Sequence, residues 1–273
     1  MAMTDGQEQI RTQIWKEEAD PADPFVAERC YCRGYDVYGD MLGRASWIEY
    51  LHLLLRGERP TPAGVRLLEG LAVGLGNAGP RDLAVRAAMN AGVVGSPAAA
   101  VLAAALAVGA GQLGGGHEVF CAMRGFRASD GDIGTWADTP AGEPPPERVD
   151  IWLPMEHAAG FDPHATRCGL PVRQLLAHLV ECAGADGRWL PWLQANRTEL
   201  ERRAQAALAM SGVAAAALLD LGFEPEAGEM LYLLLRLPGA AAHALEQGHK
   251  SYRSYPFFHG QVRRVRPGTD EQE

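Results

Sequence analysis

Helix start and stop signals recur along nearly the whole chain, while alternation of apolar and polar residues with a period of two is nearly absent. Ser46 precedes a run in which Trp47, Leu51, Leu54 and Leu55 fall at helical spacing; Glu49 stands three residues after the serine, and Gly57 follows. A serine and a glutamate so spaced satisfy two orphan backbone N–H groups reciprocally, and glycine accepts the left-handed conformation that ends a helix. The pattern predicts a helix over 47–55. Thr61, with Pro62 at the first helical position, predicts a second, carrying Val65, Leu67, Leu68 and Leu71. Pro80 opens a third from Arg81 to Asn90, and Ser96-Pro97 opens an alanine-rich fourth to Val108. Small side chains let neighbouring backbones approach, so this fourth segment reads as a buried central helix. Further helices are expected at His117–Arg124, Pro171–Cys182, Leu190–Leu208, Ser211–Leu221 and Pro225–Gln247, the last kinked at Pro238. The Gly/Pro punctuation has no fixed period, which sets a repeat architecture aside. The chain reads as all-α.

Forty-seven per cent hydrophobic residues over 273 positions support a large core, in one big domain or two unequal ones. Residues 127–150 change character, collecting Asp130, Asp132 and Asp138 and then Pro140, Pro144, Pro145 and Pro146. That stretch reads as a surface excursion or a hinge, and is the candidate domain boundary. The expected division is an extension over 1–32, a large helical domain over 33–126, and a smaller helical region over 127–208. The large domain returns over 209–250 and a tail follows over 251–273. A net charge of −9 argues against a general nucleic-acid binder, and the basic run Arg263-Arg264-x-Arg266 reads as a solvated tail. Met1–Trp15 has no apolar signal-peptide core, and the apolar run Ala99–Gly109 is too short to cross a bilayer. A cytoplasmic protein with no membrane partner is expected. Cys30, Cys32, Cys121, Cys168 and Cys182 have no disulfide-framework spacing, so reduced thiols are expected.

Gly34-Tyr35-Asp36, the capped helix after it, and the exit Gly57-Glu58-Arg59-Pro60-Thr61 resemble the amino-terminal motif of the citrate synthase superfamily. Three later blocks extend the resemblance. Gly111–Phe120 stands where the family has Leu-His-Gly-Gly-Ala-Asn-Glu-Ala. Glu156-His157 with Gly160-Phe161-Asp162-Pro163-His164-Ala165 is similar to a shortened Gly-His…Asp-Pro-Arg-Ala. Met210-Ser211-Gly212-Val213, then Leu221-Gly222-Phe223-Glu224-Pro225-Glu226 and Ala242-His243-Ala244-Leu245-Glu246-Gln247, is similar to the family's carboxy-terminal blocks. The Ser211 region looks most like citryl-CoA lyase-type members.

The resemblance implies a citrate synthase-like fold, with a large and a smaller helical domain, and a homodimer. It also implies chemistry on a coenzyme A thioester, with no metal or redox cofactor. In the family a carboxylate takes a proton from acetyl-CoA, one histidine donates to the enol, and a second histidine polarises the keto-acid carbonyl. A weakly acidic C–H needs both a positioned base and a donor at the thioester oxygen. Carried over position by position, the carbonyl-side histidine is His157. The enol-side histidine becomes Leu113 and the catalytic Asp becomes Ser211. The arginine that grips the substrate carboxylate becomes His164, which removes a bidentate, permanently charged group. His117 is the candidate replacement on the enol side, and Asp162, Glu156 or Glu118 the candidate base. Gly114, Gly115, Asp162, His164 and Arg253 are the candidate substrate-binding residues.

Plainer readings stand beside these. Ser211 reads as a helix N-cap, Asp162 as the cap of the segment after it, and His243 as a satisfied core or interface histidine. Gly109-x-Gly111-x-x-Gly114 fits a dinucleotide fingerprint, but an expected helix, not a strand, precedes it. His117 and Cys121 are spaced to share a metal, with no third or fourth ligand in view. The expected function is citryl-CoA lyase-like cleavage to acetyl-CoA and oxaloacetate or another keto acid. The alternatives are condensation in the citrate or 2-methylcitrate synthase direction, and a non-catalytic CoA-binding paralogue that pairs with an active homologue.

Overall fold

Three short strands precede the first helix. β1 (Trp15–Ala19) pairs antiparallel with β2 (Ala27–Cys32), Trp15 opposite Cys32 and Glu17 opposite Cys30, and β2 pairs antiparallel with β3 (Tyr35–Asp36). They lie in the expected extension and the turn after it, where the sequence predicted no element, and leave the all-α class unchanged. Lys16, Glu17, Glu18, Glu28 and Arg29 leave the hairpin largely solvated, so no apolar alternation marked it. Its inner residue Cys32 is fully buried with Met41 and Leu53, and Trp15 and Tyr35 pack against that cluster. The computed structural model describes residues 11–138, 154–250 and 252–254. The proline run of the expected hinge and the basic run at Arg263 lie outside the described residues.

Asp36 then accepts the Gly39 N–H at 2.7 Å and caps a turn at Val37–Met41. α1 (Trp47–Arg56) begins at Ser46 with a complete capping box and ends at Gly57, whose φ of 84° is left-handed. α2 (Pro62–Leu75) begins where Thr61 Oγ1 accepts the Gly64 N–H at 3.0 Å. α3 (Leu83–Val93) starts later than Pro80 suggests, because Asp82 caps it by accepting the N–H groups of Ala84 and Val85, each at 3.0 Å. α4 (Ala98–Gly109), α5 (Gly116–Ser129) and α6 (Ile133–Asp138) follow. After β4 (Phe161–Asp162) come α7 (Leu170–Ala183) and α8 (Trp189–Ala204), then β5 (Ala207–Leu208), which pairs antiparallel with β4. α9 (Met210–Asp220) and α10 (Pro225–Lys250), which contains Pro238, follow.

The described residues form two compact units. One takes them from Met1–Leu75 and Gly111–Leu235, the other from Gly76–Ala110 and Arg236–Glu273. The sequence division at 127 and 209 groups the chain differently. In the first unit α2 packs on α7, and α5 and α8 pack on α9. Every residue of α9 from Ser211 to Leu218 is buried. The alanine-rich helix buried along its length is therefore α9, in the first unit; in α4, within the single chain, burial reaches only Val101, Ala105 and Gly109. Small side chains allow close packing, but they do not say which helix the other elements cover. In the second unit α3 and α4 pack together, and the later part of α10 joins them through Ala240 and Ala244. Arg236 pairs there with Asp82.

Candidate active site

Three glycines lead into α5, and a carboxylate holds the turn they make. Gly114 is left-handed at φ +64° and Gly115 is the N-cap with no side chain to offer. Glu118, at the third helical position, reaches back and accepts the Gly114 N–H through Oε2. That position is where a capping-box glutamate stands. The Tyr232 hydroxyl donates to the Gly114 carbonyl at 2.9 Å, securing the turn from α10.

Glu118 also ties in two distant segments. Its Oε1 accepts the Gly160 N–H at 2.9 Å and the Ser211 hydroxyl at 2.7 Å. Gly160 reaches this point because β4 pairs with β5, and its carbonyl accepts the Ala209 N–H at 3.0 Å. Gly160 and Gly212 meet backbone to backbone: a Cβ on Gly160, itself at φ +89°, would lie 2.8 Å from Gly212 Cα. Only glycines permit that approach. Glu118 is 1% exposed, and its three donors supply the polar partners that a buried carboxylate requires.

His157 completes the cluster. Its Nε2 lies 3.6 Å from Glu118 Oε2, inside ion-pair range and too long for a hydrogen bond. That nitrogen is buried and has no hydrogen-bond partner. Beyond His157 opens a cavity of about 290 Å3, walled by Cys121, Trp136, Met155, Glu156, His157 and Arg203 together with small residues. Arg203 donates from Nε to Glu199 Oε1 at 2.8 Å; Arg202 and Arg203 together hold the Glu199 carboxyl down at about 2. His157 thus stands between the buried Glu118 carboxyl group and a space large enough for a small acid.

Of the residues singled out in the sequence, His157, Ser211, Gly114 and Gly115 meet around Glu118. Ser211 is not an N-cap: Ala209 holds that position, and the Ser211 hydroxyl is turned to Glu118. His117 is buried on the same turn of α5, its Nε2 3.5 Å from Cys121 Sγ and its ring stacked on Phe120. Asp162 accepts the His164 N–H at 2.9 Å, the local capping role, and His164 is exposed. Leu113 is 47% exposed. Arg253 belongs to the second unit, where it is exposed and its guanidinium lies over the Tyr252 ring. His243, in that unit too, has Nε2 3.1 Å from Asn77 Oδ1. The glycine pattern at 109–114 follows α4, a helix, which removes the dinucleotide reading. Among the described residues no group of three or more His, Cys, Asp or Glu side chains is placed to hold a metal ion.

In the sequence Glu118 stands out only as one of three substitute bases, not as the centre of the cluster. The signal was present, in the glutamate three residues past a glycine N-cap. Arg203 carried no signal, since only the tertiary fold brings α8 beside His157.

No protein-family model matches this sequence, and no curated protein does. Solved structures do match. Citryl-CoA lyase from Hydrogenobacter thermophilus superposes with a TM-score of 0.71 at 19% identity, covering 97% of both chains. The fold is citrate synthase-like. ATP citrate lyase from Methanothrix soehngenii, solved with citrate and coenzyme A, gives a TM-score of 0.69 at 17% identity. A mutant ATP citrate lyase from Methanosaeta concilii, solved with (3S)-citryl-CoA, gives 0.68 at 17%. Each match covers 95% of this chain but 42% of the ATP citrate lyase, so the chain spans less than half of those larger proteins. On the citrate synthase-like fold, two short strands and a glycine pair carry His157 onto the first turn of α5.

Proposed function

We propose that the protein is a lyase of the citryl-CoA kind. It cleaves citryl-CoA, or a similar 3-hydroxy-3-carboxyacyl-CoA, to acetyl-CoA and a keto acid such as oxaloacetate. One observation carries the reading: on a citrate synthase-like fold, His157 stands between the buried Glu118 carboxylate and a cavity of about 290 Å3. With Nε2 turned to Glu118, Nδ1 is the nitrogen left to take the proton of the substrate hydroxyl. The imidazolium so formed lies beside a carboxylate in a water-poor setting, where the Coulomb attraction is stronger than in bulk water. Glu118 is a positioning residue, as is Ser211 behind it.

The cavity is at the lower end of the range for ligand sites, a size for the acid portion of the substrate rather than for the coenzyme A nucleotide. Arg203 is a cation on its wall and would take the part that the family gives to the arginine aligned with His164. Coenzyme A enters as the thioester substrate, and the chemistry requires no metal or redox group. A homodimer belongs to this reading. Acetyl-CoA release from citryl-CoA by the purified protein tests it. Arg203→Ala is expected to raise KM for the carboxylate-bearing substrate by about tenfold or more, with a smaller change in kcat. Equal losses in both constants would remove Arg203 from this role.

A second reading is favoured by a specific observation. Leu113 has no proton to donate, and Ser211 is 1% exposed and committed to Glu118. A paralogue that binds an acyl-CoA without turning it over, acting alone or beside an active homologue, would have this character. Ligand-induced stabilisation without acetyl-CoA release would select it.

A further inference from the structure

His157 serves only one half of a lyase reaction. When the carbon–carbon bond breaks, its electron pair passes to the acetyl fragment as an enolate, and a proton must reach the CH2 carbon. Neither position that the family uses on that side can supply it: Leu113 has no labile proton, and the Ser211 hydroxyl is buried and already donated to Glu118. Cys121 is on the wall of the cavity that His157 lines. It sits one helical turn after His117 on α5, with Sγ 3.5 Å from His117 Nε2. Both are buried, Cys121 at 2% exposure and His117 at 7%.

We infer that Cys121, backed by His117, is the proton donor to the acetyl-CoA enolate. The inference rests on the lyase reading above and assigns its missing acid. The protons balance. His157 takes the hydroxyl proton as the carbonyl forms, and the Cys121 S–H gives its proton to the CH2 carbon, making the methyl group of acetyl-CoA. The thiolate left beside His117 regains a proton from water through the imidazole, and His157 returns its own to water. No oxidant, reductant or covalent intermediate is required. A thiol suits the task because its ordinary pKa, about 8.5, is near enough to neutrality to give a proton and recover it. A serine hydroxyl lacks that property.

The molecule contains its own comparison. Cys182 and His178 on α7 have the same spacing and the same 3.5 Å separation. They line a different cavity, between α2 and α7, with Arg66, Glu69 and Met210. That pair has no His157 opposite it.

The test is the half-reaction: acetyl-CoA incubated with the protein in D2O without keto acid, deuterium in the methyl group being followed by mass spectrometry. Acetyl-CoA binding and the thermal midpoint are recorded for each variant. Wild type is expected to exchange the methyl protons. Cys121→Ser, which keeps the side-chain shape, is expected to lose on the order of a hundredfold in exchange while still binding acetyl-CoA. His117→Gln should fall in the same direction, and Cys182→Ser should match wild type. Cys121→Ser exchanging at the wild-type rate would overturn the assignment, even if citryl-CoA is cleaved. Wild type that binds acetyl-CoA and cleaves citryl-CoA but exchanges no protons would overturn it too, leaving the lyase reading in place. Failure of wild type to bind acetyl-CoA would remove the lyase reading and this inference together.

Discussion

Glu118 shows how one side chain sets the geometry of three segments. Gly114, Gly160 and Ser211 come from positions far apart in the chain, and each directs a polar hydrogen at the same buried carboxylate. Replacing it by alanine leaves buried donors unpaired, each costing about 1–3 kcal/mol. Glu118→Ala is therefore expected to lower stability by about 3 kcal/mol or more, and Glu118→Gln by less, since the amide oxygen still accepts. Urea titration with an unchanged m-value measures this. A loss within about 0.5 kcal/mol for the alanine variant would mean the three donors find other partners. At this scale the sequence was legible in part. The resemblance singles out His157, Ser211 and the glycine turn, but not that they meet at Glu118. Local patterns carry no information about which residue of a distant loop shares a hydrogen-bond acceptor.

The helices were legible wherever their ends are written in the sequence. Ser46, Glu49 and Gly57 fixed α1, and Thr61-Pro62 fixed the start of α2, because caps act through neighbours a few residues away. The strands escaped because a solvated hairpin and a two-residue pair leave no period-two apolar signal. That small pair matters most to the site, since β4 and β5 bring Gly160 onto the start of α9. A Cβ on Gly212 would lie 2.5 Å from the Gly160 carbonyl oxygen. Gly212→Ala is expected to destabilise the protein by about 1–3 kcal/mol and to weaken acyl-CoA turnover together with stability. A variant as stable as wild type would show that the segments move apart freely.

A titrating side chain links α1 to the turn after it. His52 is buried in α1, its Nδ1 3.0 Å from the Glu58 carbonyl, and its ring meets Phe223 edge-on. Burial holds its pKa below the ordinary 6.5, outweighing the Glu58 carbonyl, which favours the charged form. Between that lowered value and 6.5 the unfolded chain binds a proton that the folded chain refuses. The stability from neutral His52 is thus complete above 6.5 and drains away as the pH falls below it. Urea midpoints taken on a descending pH series should decline there, and His52→Asn should flatten that decline. An equal decline in the variant would assign it to other groups.

For the whole molecule, the all-α class and the citrate synthase-like fold were legible, since capped helices and block order survive wide sequence change. Which alanine-rich helix is buried along its length was not, because α4 and α9 differ less in composition than in what packs around them. The proposed function depends on whether His157, 3.6 Å from Glu118, acts on a substrate hydroxyl. The most direct measurement is the rate of acetyl-CoA release from (S)-citryl-CoA by wild type and by His157→Gln, with thermal midpoints to show that both are folded. Wild type is expected to turn over, and the folded variant to lose on the order of a hundredfold or more. Folded wild type that binds citryl-CoA without releasing acetyl-CoA, or a His157→Gln variant that cleaves it at the wild-type rate, would contradict this.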